Sequence, residues 1–568
     1  LKTQPPHQRA PRTLVAPANF AMAPVAAAST AAAKAEAGPG MAKEASSLAT
    51  AAPASSSSLV RFGLILVRLA AAAFALWTAY RIRLYAVQNY GRVIHEFDPW
   101  FNYRAAEYLA ENGRERFFKW FDHSSWYPLG RPVGTTIYPG MQFISVGIWR
   151  ALDALGAPMS LNDVCVFTPA WFGVLTTCFT GFLTFECSGC ADSGVIAAVV
   201  MSMVPAHLMR SFAGCYDNEC VAMCCMVASL YFWCRSLKTA KSWPWGGVAG
   251  AAYFALVACW GGYVYILNVI GLHATVLVML GRYSSKLHRA YSLFYIVGTS
   301  LAVQVPVVGW TPLRSLEQMG PLAVFCGLQA LALSSFLLRL WRLKKAKAER
   351  LRFVVVAVCG MLAAMVAGQL YQAGFFAPAS ARMRGLFVKH TKTGNPLVDS
   401  VAEHQATDPR VYWRFFFFTC LTAPIGLGFL VQKLTDAKLL LIVYALVTYY
   451  FSTKMNRLVL LLGPAAAALC GVALTRIFRW VWSHILPPPE AADAQPVKAG
   501  TKPPDEAPSP AKPGQPKKKA AAAAMEKKAA AAAVEKQAAD DLDDLDPLMA
   551  LGRDQRRVAG GLILLVLA

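Results

Sequence analysis

Apolar runs of about 20 residues recur along most of this chain, and a helix of that length is enough to cross a bilayer. Hydrophobic residues make up 56% of the 568 and charged ones only 15%, so a soluble core could not hold all of these runs. The expectation is an all-α polytopic membrane protein whose membrane body occupies 59–486. Apolar length places spans near 59–80, 163–185, 193–210, 219–236, 244–260, 263–281, 290–309, 320–341, 352–372, 413–431, 437–453 and 457–482, about twelve in all. The stretch 137–157 carries Arg150 and Asp153 and opens on Tyr138-Pro139-Gly140; it is read as peripheral or re-entrant.

The formal net charge of +23 would suit a nucleic-acid binder, but its distribution does not. Segment 487–558 holds 12 basic and 12 acidic residues, segment 1–58 holds 5 and 2, and the remaining +20 lies in the membrane body. Basic residues gather in short cytoplasmic loops. Three such loops carry Arg235, Lys238 and Lys241, then Arg282, Lys286 and Arg289, then Arg342, Lys344, Lys345, Lys347, Arg350 and Arg352. All three fall on one face if twelve spans alternate, which makes the N-terminus cytoplasmic. Two long loops, 81–162 and 373–412, remain on the opposite face. Their Trp, Tyr, Pro and Gly content predicts ordered lumenal loops, and loops of that length are usually functional.

The Ala-, Ser- and Pro-rich segment 1–58 and the Ala-, Lys- and Pro-rich segment 487–558 are expected to be disordered. The 14 cysteines fall mostly within apolar runs, where a thiol behaves as a small hydrophobe. The pair Cys187-Ser188-Gly189-Cys190 has no second pair at zinc-ligand spacing, so neither a disulfide framework nor a zinc site is expected.

Four elements could carry chemistry. His95-Glu96-Phe97-Asp98-Pro99-Trp100-Phe101-Asn102-Tyr103-Arg104 puts Asp98 before a proline, which predicts a turn entering a helix from Trp100, with Asp98 as an ordinary N-cap. In Ser211-Phe212-Ala213-Gly214-Cys215-Tyr216-Asp217-Asn218-Glu219, extended backbone would point Asp217 and Glu219 to one side, toward one cation; a cap is again the plain reading. Asn395-Pro396-Leu397-Val398-Asp399-Ser400-Val401-Ala402-Glu403-His404-Gln405 reads by composition as a solvated polar loop. Arg457, at the outer end of the last span, could simply snorkel to lipid phosphate. The span count places Asp98, Asp217, Glu219, Glu403 and Arg457 on one face, where carboxylates repel unless a divalent cation joins them, and where an arginine suits an anionic group.

The motifs Phe97-Asp98-Pro99-Trp100-Phe101-Asn102-Tyr103-Arg104, Tyr127-Pro128-Leu129-Gly130-Arg131, Tyr216-Asp217-Asn218-Glu219, Trp260-Gly261-Gly262-Tyr263-Val264 and Ser400-Val401-Ala402-Glu403-His404-Gln405 resemble the catalytic subunit of eukaryotic oligosaccharyltransferase, in the same order, over about 59–486. The resemblance implies a GT-C type membrane glycosyltransferase of the endoplasmic reticulum that moves an oligosaccharide from dolichyl diphosphate to the Asn amide of Asn-x-Ser/Thr, with inversion. It implies an Mn²⁺ or Mg²⁺ site of Asp98, Asp217 and Glu219, with Asp98 and Glu403 as catalytic groups, Glu403 on the acceptor amide and Arg457 on the donor diphosphate. Partners would be non-catalytic oligosaccharyltransferase subunits and the translocon. Two positions depart from the family pattern, Ala402 where Ser is usual and Cys220 where Gly is usual.

The family's Trp-Trp-Asp-Tyr-Gly motif is not found, and 559–568 reads as the start of a thirteenth span. Either Met41 is the start or the beginning is incorrect or missing. The chain is therefore expected to be a truncated form, itself inactive, of an active full-length product. The alternatives weighed are another polyprenyl-phosphate-dependent membrane glycosyltransferase, such as a protein O-mannosyltransferase, and a non-enzymatic secondary transporter.

Overall fold

The computed structural model describes residues 54–341, 345–377 and 400–485. The chain divides into two compact units, Leu1–Leu64 and Ile65–Ala568. Helix α1 (Ala54–Arg83) starts within the segment expected to be disordered up to Ser58. Ser55–Ser58 contains neither Gly nor Pro, and each residue added to an existing helix gains a hydrogen bond. The rest of 1–58, the expected linker 487–558 and the end of the chain lie outside the described residues.

Among the described residues the backbone is helical, with two isolated bridges, Asp122 to Arg131 and Ser315 to Ala377. Helices satisfy their own polar backbone, which is what an apolar surrounding demands. The expected lumenal loop 81–162 is ordered. It forms α2 (Tyr85–Tyr90), α3 (Phe97–Phe117), α4 (Val133–Thr136) and α5 (Gly140–Ala154). The stretch read as peripheral or re-entrant is α5, which buries Gly140, Met141, Gln142, Ser145 and Val146 and packs on α3. Of the second long loop, only 373–377 and 400–412 are described.

Each expected span contains a helix, but the helices differ in kind. Those that follow are α6 (Leu161–Ser188), α7 (Ala191–Met203), α8 (Pro205–Leu208), α9 (Asn218–Ser236), α10 (Trp245–Cys259), α11 (Tyr263–Met279) and α12 (Ser285–Ala302). After α13 (Thr311–Arg314) come α14 (Met319–Trp341), α15 (Lys345–Gln372), α16 (Pro409–Phe416), α17 (Thr419–Val431), α18 (Asp436–Lys454) and α19 (Val459–Ile485). Among the described residues, five helical stretches are by themselves long and apolar enough to cross a membrane, six if α16 and α17, bent by 89°, make one span. The expected span 193–210 is broken at Val204, because Pro205 has no N–H to continue α7. The span expected at 413–431 is broken at Phe417, where φ is 44°.

Close packing rests on small residues. A Cβ on Gly246 of α10 would lie 2.4 Å from Ala290 O of α12, and one on Gly426 of α17 would lie 2.0 Å from Leu469 O of α19. Side-chain-free surfaces of this kind let helix backbones approach where lipid offers little hydrophobic drive. Helix α9 lies against α6 and α10 at the centre of the bundle and buries Trp233 completely. It is 19 residues long, so its two ends stand about 28 Å apart at 1.5 Å per residue. The candidate site residues Asp217 and Glu219 stand at its N-terminal end.

Candidate active site

The path into α9 is a tight turn. Gly214 has φ 96°, a value that favours glycine, and a Cβ there would meet Val93 O and His95 Cδ2 at 2.5 Å. His95 N donates to Gly214 O at 2.9 Å, and Gly214 N donates to Val166 O at 2.9 Å. Asp217 then caps α9, its carboxylate accepting from Asn218 N at 2.7 Å. The plain reading of Asp217 as a cap therefore holds, although helix rather than extended backbone follows it. Glu219 sits in the first turn and is 1% exposed. An anionic side chain is favoured at this end of a helix.

Glu403 arrives from 184 residues further on, in the 3-10 turn Ala402–His404. Hydrogen bonds to the neighbouring backbone fix it there, with Asn456 N donating to Gln405 O at 2.9 Å and the Thr407 hydroxyl Oγ1 to Ser452 O at 2.5 Å. The partner segment is the 3-10 turn Asn456–Leu458 between α18 and α19, which carries Arg457.

These elements converge on Arg210, a residue the sequence reading treated only as the end of a span. Its Nη2 donates to Glu403 Oε1. Its Nε lies 3.2 Å from Glu219 Oε2, and its Nη1 lies 3.7 Å from Asp217 Oδ2. Arg457 Nε donates to Glu219 Oε1 at 2.6 Å, and its Nη1 is 3.8 Å from Glu403 Oε2. Three carboxylates thus share two guanidiniums. Exposure grades outward, from Glu219 at 1% through Asp217 at 13% to Glu403 at 42% of the side chain. Burial, and then the neighbouring charge of Glu219, push the Asp217 carboxyl up to about 6 against the pull of Arg457 and Arg210. Burial also pushes the Cys215 thiol up to about 11, which leaves it protonated and unsuited to nucleophilic attack.

Asp98 stands apart from this cluster. Helix α3 starts at Phe97, three residues before the expected Trp100, and its N-cap is Glu96 rather than Asp98. Proline is tolerated in a first turn because its missing N–H would have no partner there. Asp98 is exposed, and its charge reaches Arg131, whose guanidinium lies between the rings of Phe101 and Trp126. Residues on either side of it border the α9 entry, through the backbone of His95 and through the Asn102 side-chain Nδ2, which donates to Tyr216 O at 3.2 Å.

The structure therefore brings together Asp217, Glu219, Glu403 and Arg457 and adds Arg210, while Asp98 touches neither guanidinium. Among the described residues no three His, Cys, Asp or Glu side chains are arranged to hold one cation. Asp217 and Glu219 do supply the oxygen donors that Mn²⁺ or Mg²⁺ prefers, and Glu219 Oε2 is buried and makes no hydrogen bond beyond its ion pair with Arg210. That pair fits a hard divalent cation. Asn218 Oδ1 and Asn456 Oδ1, each beside a cluster residue, are also buried and have no hydrogen-bond partner. Unsatisfied polar atoms are uncommon in folded proteins and concentrate where a ligand completes the site.

Residues 64–470 match the family model described as oligosaccharyl transferase STT3, N-terminal. The chain is 38% identical over 411 residues to the dolichyl-diphosphooligosaccharide–protein glycosyltransferase subunit stt-3 of Caenorhabditis elegans, covering 72% of this chain and 53% of the relative. It is 38% identical over 407 residues to subunit STT3 of Saccharomyces cerevisiae, covering 70% and 55%. The archaeal oligosaccharyltransferase AglB from Archaeoglobus fulgidus, solved with an inhibitory peptide and a dolichol-phosphate, shares the fold, with a TM-score of 0.57 at 18% identity over 73% of this chain and 50% of that one. The chain spans about half the length of the relatives it matches. With a match over most of its described length, this chain belongs to the oligosaccharyl transferase STT3 family.

Proposed function

We propose that this chain is the membrane portion of an enzyme that transfers an oligosaccharide from dolichyl diphosphate to the side-chain amide of Asn in Asn-x-Ser/Thr. The observation that carries the reading is the convergence of Asp217, Glu219 and Glu403 on Arg210 and Arg457 from distant parts of the chain. The amide nitrogen is a poor nucleophile because its lone pair is delocalised, as the barrier of about 18–20 kcal/mol to amide rotation measures. A carboxylate that accepts both N–H bonds can twist the amide and free the lone pair. Glu403 is the cluster carboxylate open to an incoming polypeptide, whereas Glu219 is enclosed and anchors both arginines. Asp98, exposed on α3 beside the α9 entry, is assigned to the same amide.

Arg457 engages Glu219 through Nε, which leaves guanidinium N–H groups for the donor diphosphate. Such donors stabilise charge that grows as the diphosphate departs. Attack from the face opposite that leaving group inverts the anomeric carbon. Asp217 and Glu219, with Asp98 as the third expected ligand, would hold Mn²⁺ or Mg²⁺, which when bound supplies Lewis-acid stabilisation of the leaving group.

All twelve apolar segments are assigned to crossings of the endoplasmic reticulum membrane, with the N-terminus cytoplasmic and the site lumenal. The two ends of α9 support this. The cluster stands at its start, and at its finish Arg235 and Lys238 pair with Glu186, while Lys286 donates to Leu237 O at 2.6 Å. Non-catalytic oligosaccharyltransferase subunits, and the translocon, are the proposed membrane partners. The test is transfer from a lipid-linked oligosaccharide to an Asn-x-Thr peptide by the full-length protein in its complex. Wild type transfers and Glu403→Ala does not, at equal folded fraction; normal turnover by Glu403→Ala refutes the assignment.

A further inference from the structure

Arg83 is the last residue of α1 and has no exposed surface. Its guanidinium donates to four neutral acceptors: Nε to Ser211 Oγ at 2.9 Å, Nη1 to Ala79 O at 2.8 Å and Ser202 O at 3.3 Å, and Nη2 to His207 Nδ1 at 2.9 Å. Among the described residues no carboxylate pairs with it. A buried charge is costly unless its surroundings compensate it. Here the compensation is partly helical, since Ala79 O and Ser202 O belong to the last turns of α1 and α7, where the dipole favours a cation, and Ser202 O is among the end carbonyls that lack an intrahelical partner. Pro205, just beyond α7, adds no N–H to meet them. Helix α6 leaves room for the side chain at Gly173, where a Cβ would lie 2.1 Å from Arg83 Nε.

For stability alone an apolar residue would serve at such a place, since replacing buried ions by well-packed hydrophobes is often neutral or favourable. The acceptors suggest another use. Ser202, His207 and Ser211 lie on both sides of Arg210, and Arg83 O accepts from Ala213 N at 2.9 Å. The turn is closed internally as well, with Ser211 Oγ donating to His207 O at 2.8 Å. One side chain and its own carbonyl therefore hold the chain at 202, 207, 211 and 213, and Arg210 is the cluster residue inside that hold.

We infer that Arg83 is a positioning residue for transfer: it fixes the turn that presents Arg210 to Asp217, Glu219 and Glu403. This rests on the reading of that cluster as the transfer site. Arg83→Lys keeps the charge but loses the fork that reaches four acceptors, and Gly173→Ala presses on an unchanged arginine. In the full-length protein in its complex, each is expected to lower kcat about tenfold or more with KM for peptide and donor within about twofold, as misplacement of a catalytic constellation does. Amide hydrogen exchange is expected to rise at 205–214 and to stay unchanged in the rest of α9. In an Arg210→Lys background, Arg83→Lys is expected to add no further loss of kcat.

Losses that multiply in that background would mean a general structural role and overturn the inference. Unchanged exchange at 205–214 would overturn it too, whatever the turnover. Absence of transfer by wild type would count against the proposed function alone, because the exchange measurement does not depend on it. Should Arg83→Lys fail to accumulate, Ser211→Ala, which deletes one of the four bonds, carries the same tests.

Discussion

The two ends of the bundle use the same charged residue types in opposite proportions. At the end where α9 finishes, two carboxylates are each held by two cations: Glu186 by Arg235 and Lys238, Asp436 by Arg282 and Lys286. Asp192 is likewise held by Arg68 and Arg479. At the end where α9 starts, three carboxylates share Arg210 and Arg457. The first arrangement is saturated and has little left to offer a ligand. The second has an excess of acid, an oxygen on Glu219 that is held by the Arg210 ion pair and makes no hydrogen bond, and a guanidinium with donors to spare. Cation-poor acidic clusters cost stability, so their presence points to something that binds there.

That contrast can be broken in graded ways. The largest effect is expected for Glu403→Ala and Asp98→Ala, each of which should lower acceptor-peptide glycosylation by at least about a hundredfold, the scale of a lost catalytic acid–base group, with expression and detergent-solubilised monodispersity unchanged. Next is Arg210→Ala, which leaves Glu219 enclosed with a single partner. Removing one member of a buried pair costs about 3–5 kcal/mol, so thermal unfolding should shift downward together with loss of transfer. Arg457→Ala should weaken the donor more than the peptide, seen as a rise in KM for the lipid-linked oligosaccharide of about tenfold, in line with a charge-assisted bond worth about 1.5–3 kcal/mol. The smallest effect belongs to the saturated end. Arg235 and Lys238 are 37% and 49% exposed, and Lys238→Ala should change unfolding by no more than about 1 kcal/mol with turnover intact.

Much of this was legible before the structure, and what was not has identifiable causes. Each of the twelve apolar runs contains a helix, because a chain in lipid has few alternatives to helix, whereas the helices of 85–154 were not signalled by run length. It could not see that Pro205 and Phe417 break two of those runs, or that 54–58 extends the first. The acids at 98, 217, 219 and 403 were visible through spaced motifs and loop charge. Arg210 was missed because, counted along the chain, it only ends an apolar run; its role exists through packing with Glu403, 193 residues away. A basic residue seven positions before Asp217, at the same end of the bundle, was the available signal. Asp98 illustrates the converse, since its motif is strong while its side chain lies outside the ion pairs of the cluster. Segment 378–399, with the first five residues of the third expected element, lies outside the described residues.

The most direct test of the central claim, that the acid-rich end is the reacting end, is a paired measurement of transfer to an Asn-x-Thr peptide by Glu403→Gln and Asp436→Asn in the assembled full-length protein. The account predicts loss of at least about a hundredfold for the first and wild-type turnover for the second. Equal turnover by the two variants would contradict it.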